Sequence, residues 1–314
     1  MRVIPLFVVL GGWLSMPAFA AEADVLMQRL AAAEKKQSYQ GTFVYERNGS
    51  FSSHAVWQLA DDKQLHERLL RLDGPAAEVV LLNGKIQCAS EDMASQVREI
   101  TPWQQRLEPD ILSKWYDFQV IGESRVAGRP TVALAIRPRD QHRYGFELHL
   151  DRETSLPLKS LLLDESGQLL ERFQFTHFEP GSAAPADLKG GADCKPVSLA
   201  ADQKEAASTK WRSDWLPDGF RLIDSDVRSS PVSKEPVTWL SYGDGIARVS
   251  VFIEPLGDAV VEDARSQMGP TVAVSKRIST ADGDVMVTVV GEIPLGTAER
   301  IALSMRSGAD QAPQ

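Results

Sequence analysis

Cysteine is nearly missing from this chain of 314 residues, which has two, Cys88 and Cys194. Neither lies near a histidine in a ligand spacing. The five histidines, His54, His66, His142, His149 and His177, form no HExxH or comparable pattern, so a zinc or other metal site has no sequence support. Nucleophile motifs are missing as well: there is no Gly-x-Ser-x-Gly elbow, and no serine falls at an expected strand-to-helix turn. Gly243-Asp-Gly245 opens like a dinucleotide loop, but it joins two expected strands and reads as a hairpin turn. Asp282-Gly283-Asp284 lacks the remaining ligands of a calcium loop. Carboxylates are many but scattered, so no catalytic constellation emerges, no cofactor is called for, and a hydrolase is the weakest functional class. Basic character is scarce too. With Lys+Arg 34 against Asp+Glu 43 the net charge is −9, spread evenly and without a basic arm, which argues against nucleic acid and against an anionic bilayer surface as partner.

The one long hydrophobic run is at the start. Residues 1–20 carry Arg2, an apolar core from Val3 to Leu14, a helix-breaking Pro17 and then Ala18-Phe19-Ala20. This reads as a secretory signal cut after Ala20, because the core is short of the roughly 20 residues a membrane span needs. Export places the two cysteines in an oxidising compartment, which favours a Cys88–Cys194 disulfide over two free thiols. Such a bond would close a loop of about a hundred residues and be worth at most about 4 to 5 kcal/mol by chain entropy.

What the chain does have is alternation. Ala23 to Lys36 is the one clear amphipathic helix of the first half. Strands follow in hairpin order, with Asn48-Gly49 and Asn83-Gly84 at the turns. A short helix is expected from Pro109 to Trp115, and a meander runs from Pro138 to Phe178. About ten antiparallel strands with hardly any crossover helix imply one large sheet over residues 21–178. Residues 179–210, rich in Gly, Ala, Ser and Pro and free of aromatics, read as a linker whose front the disulfide would pin to the first unit. Residues 211–307 read as a smaller α+β unit with helices at Ala259–Gln267 and Gly296–Met305, and 308–314 as a disordered tail.

A sheet with one greasy face must bury it, and one helix is too little to cover so large a sheet. The candidate inner-face side chains are Phe43, Tyr45, Trp57, Phe146, Leu148, Leu150, Leu161, Leu163, Phe173 and Phe175. Each could equally be core beneath the helix; as a set they suggest an apolar trough. A strand of about eight residues spans about 26 Å, the length of an extended acyl chain, which makes a lipid the natural ligand. A lipid or lipoprotein carrier is the alternative reading of the same trough.

Several runs resemble a known family: Phe43-Val-Tyr-Glu-Arg-Asn-Gly49, Glu123-Ser-Arg-Val-Ala-Gly-Arg-Pro130, Pro138 to Leu163, Ser250-Val-Phe-Ile-Glu-Pro255 and Val289 to Arg300. They are similar to the MucB/RseB family of periplasmic regulators of an envelope-stress sigma factor. The resemblance covers nearly all of the expected mature chain. It implies a half-open barrel like the lipoprotein carriers LolA and LolB with a helical plug, and a smaller domain that helps bind the periplasmic segment of a single-span anti-sigma factor of the MucA/RseA kind. It further implies that the bound regulator shields that partner from a site-1 protease, and that lipid or lipopolysaccharide releases it. The partner-contact residues do not follow from the resemblance, and self-association is left open.

Overall fold

The computed structural model describes residues 17–33, 36–61, 64–90, 107–181, 183–197, 210–229, 236–257 and 261–308. Within the signal segment only the backbone from Pro17 onward is described; the tail beyond Gly308 lies outside the described residues.

Helix α1 spans Pro17–Ala33. It is followed by β1 (Tyr39–Arg47), β2 (Ser50–Ala60), β3 (Leu65–Arg71), β4 (Glu78–Leu82), β5 (Lys85–Ala89), the single turn α2 (Pro109–Leu112), β6 (Tyr116–Val126), β7 (Arg129–Pro138), β8 (Gly145–Asp151), β9 (Pro157–Leu163), β10 (Leu169–Pro180) and β11 (Lys195–Pro196). These strands make one antiparallel sheet of eleven in the order β11-β5-β4-β3-β2-β1-β10-β9-β8-β7-β6. Its two edges, β11 and β6, do not pair with each other, so the sheet is open. The turns explain the hairpins. Asn48-Gly49 (φ 51° and 72°) and Asn83-Gly84 (φ 51° and 73°) place two successive residues in the left-handed region, the twist-matched geometry of a two-residue loop. Ala127-Gly128 does the same at φ 49° and 75°, with an alanine that sequence preference does not announce.

A second sheet of six has the order β13-β14-β15-β18-β17-β16. Its strands are β13 (Arg221–Ser229), β14 (Pro236–Gly243), β15 (Arg248–Pro255), β16 (Ala264–Met268), β17 (Thr271–Thr280) and β18 (Gly283–Gly291). Helix α3 (Leu295–Ser304) packs on one face, burying Ala298, Ile301 and Ala302 against the valines of β15, β17 and β18. The short strands β12 (Trp211–Ser213) and β19 (Met305–Ser307) pair beside it.

Two expectations change here. The helix expected over Ala259–Gln267 is, from Ala264 on, the edge strand β16. The two-residue turn Gly269-Pro270 folds it back so that Met268 pairs with Thr271; ladder bonds to β17 prevail over a helical propensity that had no apolar stripe to bury. The expected linker is also shorter than 179–210. Residues 183–197 stay with the first sheet: β11 pairs with β5, Cys194 is disulfide-bonded to Cys88, and the Gly191 amide donates to Glu78 Oε1 at 2.7 Å. Arg68 ties both sides, bridging to Glu78 at 2.8 Å and donating to the Asp187 carbonyl at 3.1 Å.

The two sheets meet along a seam. The loop before β8 and the end of β1 reach the second sheet through Arg143, His142 and Arg47.

Candidate functional site

Residues paired directly across an antiparallel sheet share a face. The register therefore sets Tyr45, Phe173, Ser160, Leu148 and Leu134 in one row, with Phe43 beside Phe175 in the next. This inner face carries two apolar clusters. One joins Phe43, Tyr45, Val56, Leu69, Val79, Leu158, Phe173, Phe175 and Phe178. The other joins Leu134, Ile136, Leu148 and Leu150 to Ala23, Met27 and Leu30 of α1. The second cluster is the seat of the helix: Met27, Leu30 and Leu148 have no exposed surface. Phe146, Leu148 and Leu150 thus have the packing role that remained the alternative for each of them.

The aromatic cluster is the part of the inner face that owes least to α1, which contributes to it only through Ala33. Its rings interlock, Phe43 with Phe173 at 4.6 Å, Phe173 with Phe175 at 5.2 Å and Phe175 with Phe178 at 5.1 Å between centroids. Phe43 and Phe175 are buried, so a hydrocarbon chain enters this region only by parting side chains that touch one another. Tyr45 closes the row with its hydroxyl donating to Glu171 Oε2 at 2.8 Å; burial, with the Glu171 charge added, holds that phenol well above its ordinary range. His54 stacks on Phe43 at 5.1 Å and has no exposed surface. Burial, with the Arg71 charge added, pushes its imidazole down to about 4.

Three expected residues lie elsewhere. Leu161 pairs with Arg172 and Glu147, and Leu163 with Gly145, on the outward face. Trp57 pairs with Arg68 on that same face, and the Arg68 guanidinium lies 5.2 Å over its ring. Three consecutive leucines from Leu161 to Leu163 made the phase of β9 ambiguous; the inward member is Leu162, which is 4% exposed. Leu158, Val56 and Leu69 belong to the inner face and could have been found by carrying the alternation of Phe173 and Tyr45 across the ladder.

The structure does bring a serine, a histidine and a glutamate together. Ser124 Oγ lies 2.5 Å from His149 Nδ1, and His149 Nε2 lies 2.8 Å from Glu147 Oε1. This chain of hydrogen bonds runs over the outward face of β6 and β8. Ser124 is also bonded to Thr131 at 2.7 Å, and burial lowers the His149 pKa. The arrangement is a polar ladder across strands. Among the described residues no cluster of three metal-ligating side chains occurs, and no helix is long and apolar enough to cross a membrane.

Sequence reasoning missed the seam. Arg143 and Asp244, from opposite sides of it, meet at 2.6 Å with no exposed side-chain surface on either. Nearer β1, Arg47 bridges Glu171 at 3.5 Å on its own side and Glu292 at 3.0 Å on the other, and bonds Thr271. A pocket of about 270 Å³ opens there between Glu46, Asn48, Leu169, Glu171 and Gly269.

Comparison with known proteins gives this architecture relatives. The chain is 57% identical over 313 residues to the sigma factor AlgU regulatory protein MucB of Pseudomonas aeruginosa, covering 98% of this chain and 99% of that one. A solved complex of Pseudomonas aeruginosa MucA and MucB matches with a TM-score of 0.82 and 56% identity, over 92% of this chain and 99% of that chain. A crystal structure of MucB matches with a TM-score of 0.68 and 54% identity, over 91% and 98%. Residues 22–197 match the MucB/RseB N-terminal domain and residues 205–306 the MucB/RseB C-terminal domain, and with both sheets so accounted for, the chain belongs to the MucB/RseB family.

Proposed function

We propose that this protein is a periplasmic regulator that binds the periplasmic part of a MucA-like transmembrane anti-sigma factor, shields it from site-1 proteolysis and so restrains an envelope-stress sigma factor. The reading is carried by one observation: a match of 57% identity to MucB that covers 98% of this chain and so takes in both sheets, MucB being a sigma-factor regulator that has been solved together with MucA. A match over nearly the full length of both chains favours a shared binding mode over a shared fold alone. No enzymatic step is required, in keeping with a family of regulatory proteins.

The signal is a lipid or lipopolysaccharide acyl chain received by the aromatic cluster of Phe43, Tyr45, Phe173 and Phe175. Each buried methylene contributes about 0.8 kcal/mol, so a chain of about twelve carbons has about 9 kcal/mol with which to part those rings. Residues 21–178 then sense lipid, and residues 211–307 contribute to partner binding.

The test uses the purified mature chain with the periplasmic domain of Pseudomonas aeruginosa MucA, a site-1 protease and a fluorescent fatty acid. The chain is expected to slow cleavage, and added lipid to restore it. Phe173→Ala is expected to weaken fatty-acid binding about tenfold, while Trp57→Ala, on the outward face, leaves it within twofold. Cleavage at the same rate with and without the chain refutes the regulator reading; equal fatty-acid affinities for both variants refute the site.

A further inference from the structure

The seam is built around one side chain. Arg143 comes from the loop that leads into β8, and its side chain has no contact with solvent. From its own unit Asp140 takes two bonds, from Nε at 3.2 Å and Nη2 at 2.8 Å. From the second unit the Asp218 carbonyl accepts from Nη2 at 2.7 Å, and Asp244 Oδ2 accepts from Nη1 at 2.6 Å. The rings of Tyr116 and Phe220, one from each unit, lie 5.4 Å and 5.3 Å from the guanidinium. Asp244 is equally well held. Its Oδ2 also accepts from the Tyr116 hydroxyl at 2.9 Å, and its Oδ1 accepts from the amides of Ile246 and Ala247 at 2.9 Å and 2.8 Å. An ion pair withdrawn from water is tolerated only while both halves keep their partners, so this contact is made in full or it parts.

Around it the seam is close. Trp115 packs so tightly on Gly219 that a Cβ there would lie 2.3 Å from the indole nitrogen. The His142 ring meets Trp215 edge-on at 5.0 Å, and its Nδ1 lies 3.1 Å from the Thr297 hydroxyl. Three strands away along the same end of the sheet, about 14 Å at about 4.8 Å per strand, the seam changes character. Arg47 is 14% exposed, its partner Glu292 is 39% exposed, and the pocket between Leu169 and Gly269 is open. One end is dry and saturated with bonds; the other is wet and shallow.

We propose that Arg143 is the positioning residue of the seam: its pair with Asp244 is the fixed end about which the second unit swings, the Arg47 end is the one that opens, and the closed angle is the one that binds the anti-sigma partner. This assignment rests on the regulator reading and adds to it the place where release is governed.

The mature full-length chain is compared as wild type, Arg143→Met, and Arg143→Met with Asp244→Leu. Circular dichroism checks folding, small-angle scattering reads the relation of the two units, and titration with the periplasmic domain of MucA reads the partner. Arg143→Met strands the buried Asp244 charge; the units are expected to part, with a larger radius of gyration and at least tenfold weaker partner binding. The double variant removes the stranded charge and is expected to return the radius of gyration to the wild-type value and partner affinity to within threefold of wild type, a rescue that a residue touching the partner directly would not give. Wild-type scattering from Arg143→Met overturns the fixed end, and restored scattering without restored affinity overturns its link to the partner. A wild-type chain that does not bind the probe refutes the regulator reading and the partner half of this one, while scattering alone decides whether Arg143 holds the seam.

Discussion

His54 shows how a single side chain reports on the inner face. It is buried against Phe43, with Nε2 2.9 Å from the Ser52 hydroxyl, and its imidazole is neutral in the folded chain down to about pH 4 because burial opposes the charge. In the unfolded chain the same group takes a proton below about pH 6.5. The unfolded state therefore binds more protons between those values, and the stabilisation, complete above about pH 6.5, is lost as the pH falls toward about 4. The gap corresponds to roughly 3 kcal/mol. Denaturant titrations of wild type and His54→Phe across this range are expected to show the wild-type midpoint falling more steeply with acid than the variant's, which keeps only the slope of other groups such as His149. Parallel slopes would mean that the imidazole is not buried as the structure has it. Asp151 acts in the more acidic range. Burial raises its carboxyl, but Arg129 at 2.7 Å and the bonds from Thr154 outweigh that and hold it below the ordinary carboxylate value.

Among the elements, the length of chain from Gly181 to Val197 departs most from what its composition suggests. Gly, Ala, Ser and Pro predominate there, and a flexible linker is the natural reading, yet Leu188 is buried and β11 closes the sheet edge. The disulfide is the reason, since it holds two residues separated by 106 positions and lets a poor strand former pair. Strand alternation and the Asn-Gly turns were legible because they are local. The phase of β9, the edge strand β16 and the fate of this strap were not, because each depends on a partner distant in sequence. Reduction, or Cys88→Ser with Cys194→Ser, is expected to speed hydrogen exchange at Gly191 and Val197 and to lower the unfolding midpoint of the first sheet. The loss should be below the roughly 4 to 5 kcal/mol of the chain-entropy limit, because Arg68 and Glu78 still grip the strap. Exchange in β15 and β18 should not change; if it quickens equally, the strap is not a local element.

At the scale of the whole molecule, two ligands on one chain must answer to one thermodynamic cycle. If lipid enters the aromatic cluster near Phe173 and the partner binds the closed seam, as proposed, the two can oppose each other only if lipid binds the free chain more tightly than the bound one. The aromatic cluster and the seam are mechanically close: Glu171, two residues before Phe173 on β10, accepts from Tyr45 and lies 3.5 Å from Arg47, which in turn holds Glu292 of the second unit. Parting Phe173 from Phe43 thus acts on the strand that carries the open end of the seam. A tenfold release corresponds to about 1.4 kcal/mol of coupling, comparable with one exposed or half-buried ion pair of the kind Arg47 makes. Linkage then fixes a quantity measurable without any protease: if lipid weakens MucA-domain binding tenfold, the MucA domain must weaken fatty-acid binding tenfold. Fluorescence titrations of the fatty acid with and without saturating partner domain are expected to give that same factor, and Arg47→Met is expected to bring it down toward one while leaving each ligand able to bind. Partner binding that falls with lipid while lipid affinity ignores the partner would place the release outside this chain, in the lipid's action on the partner itself.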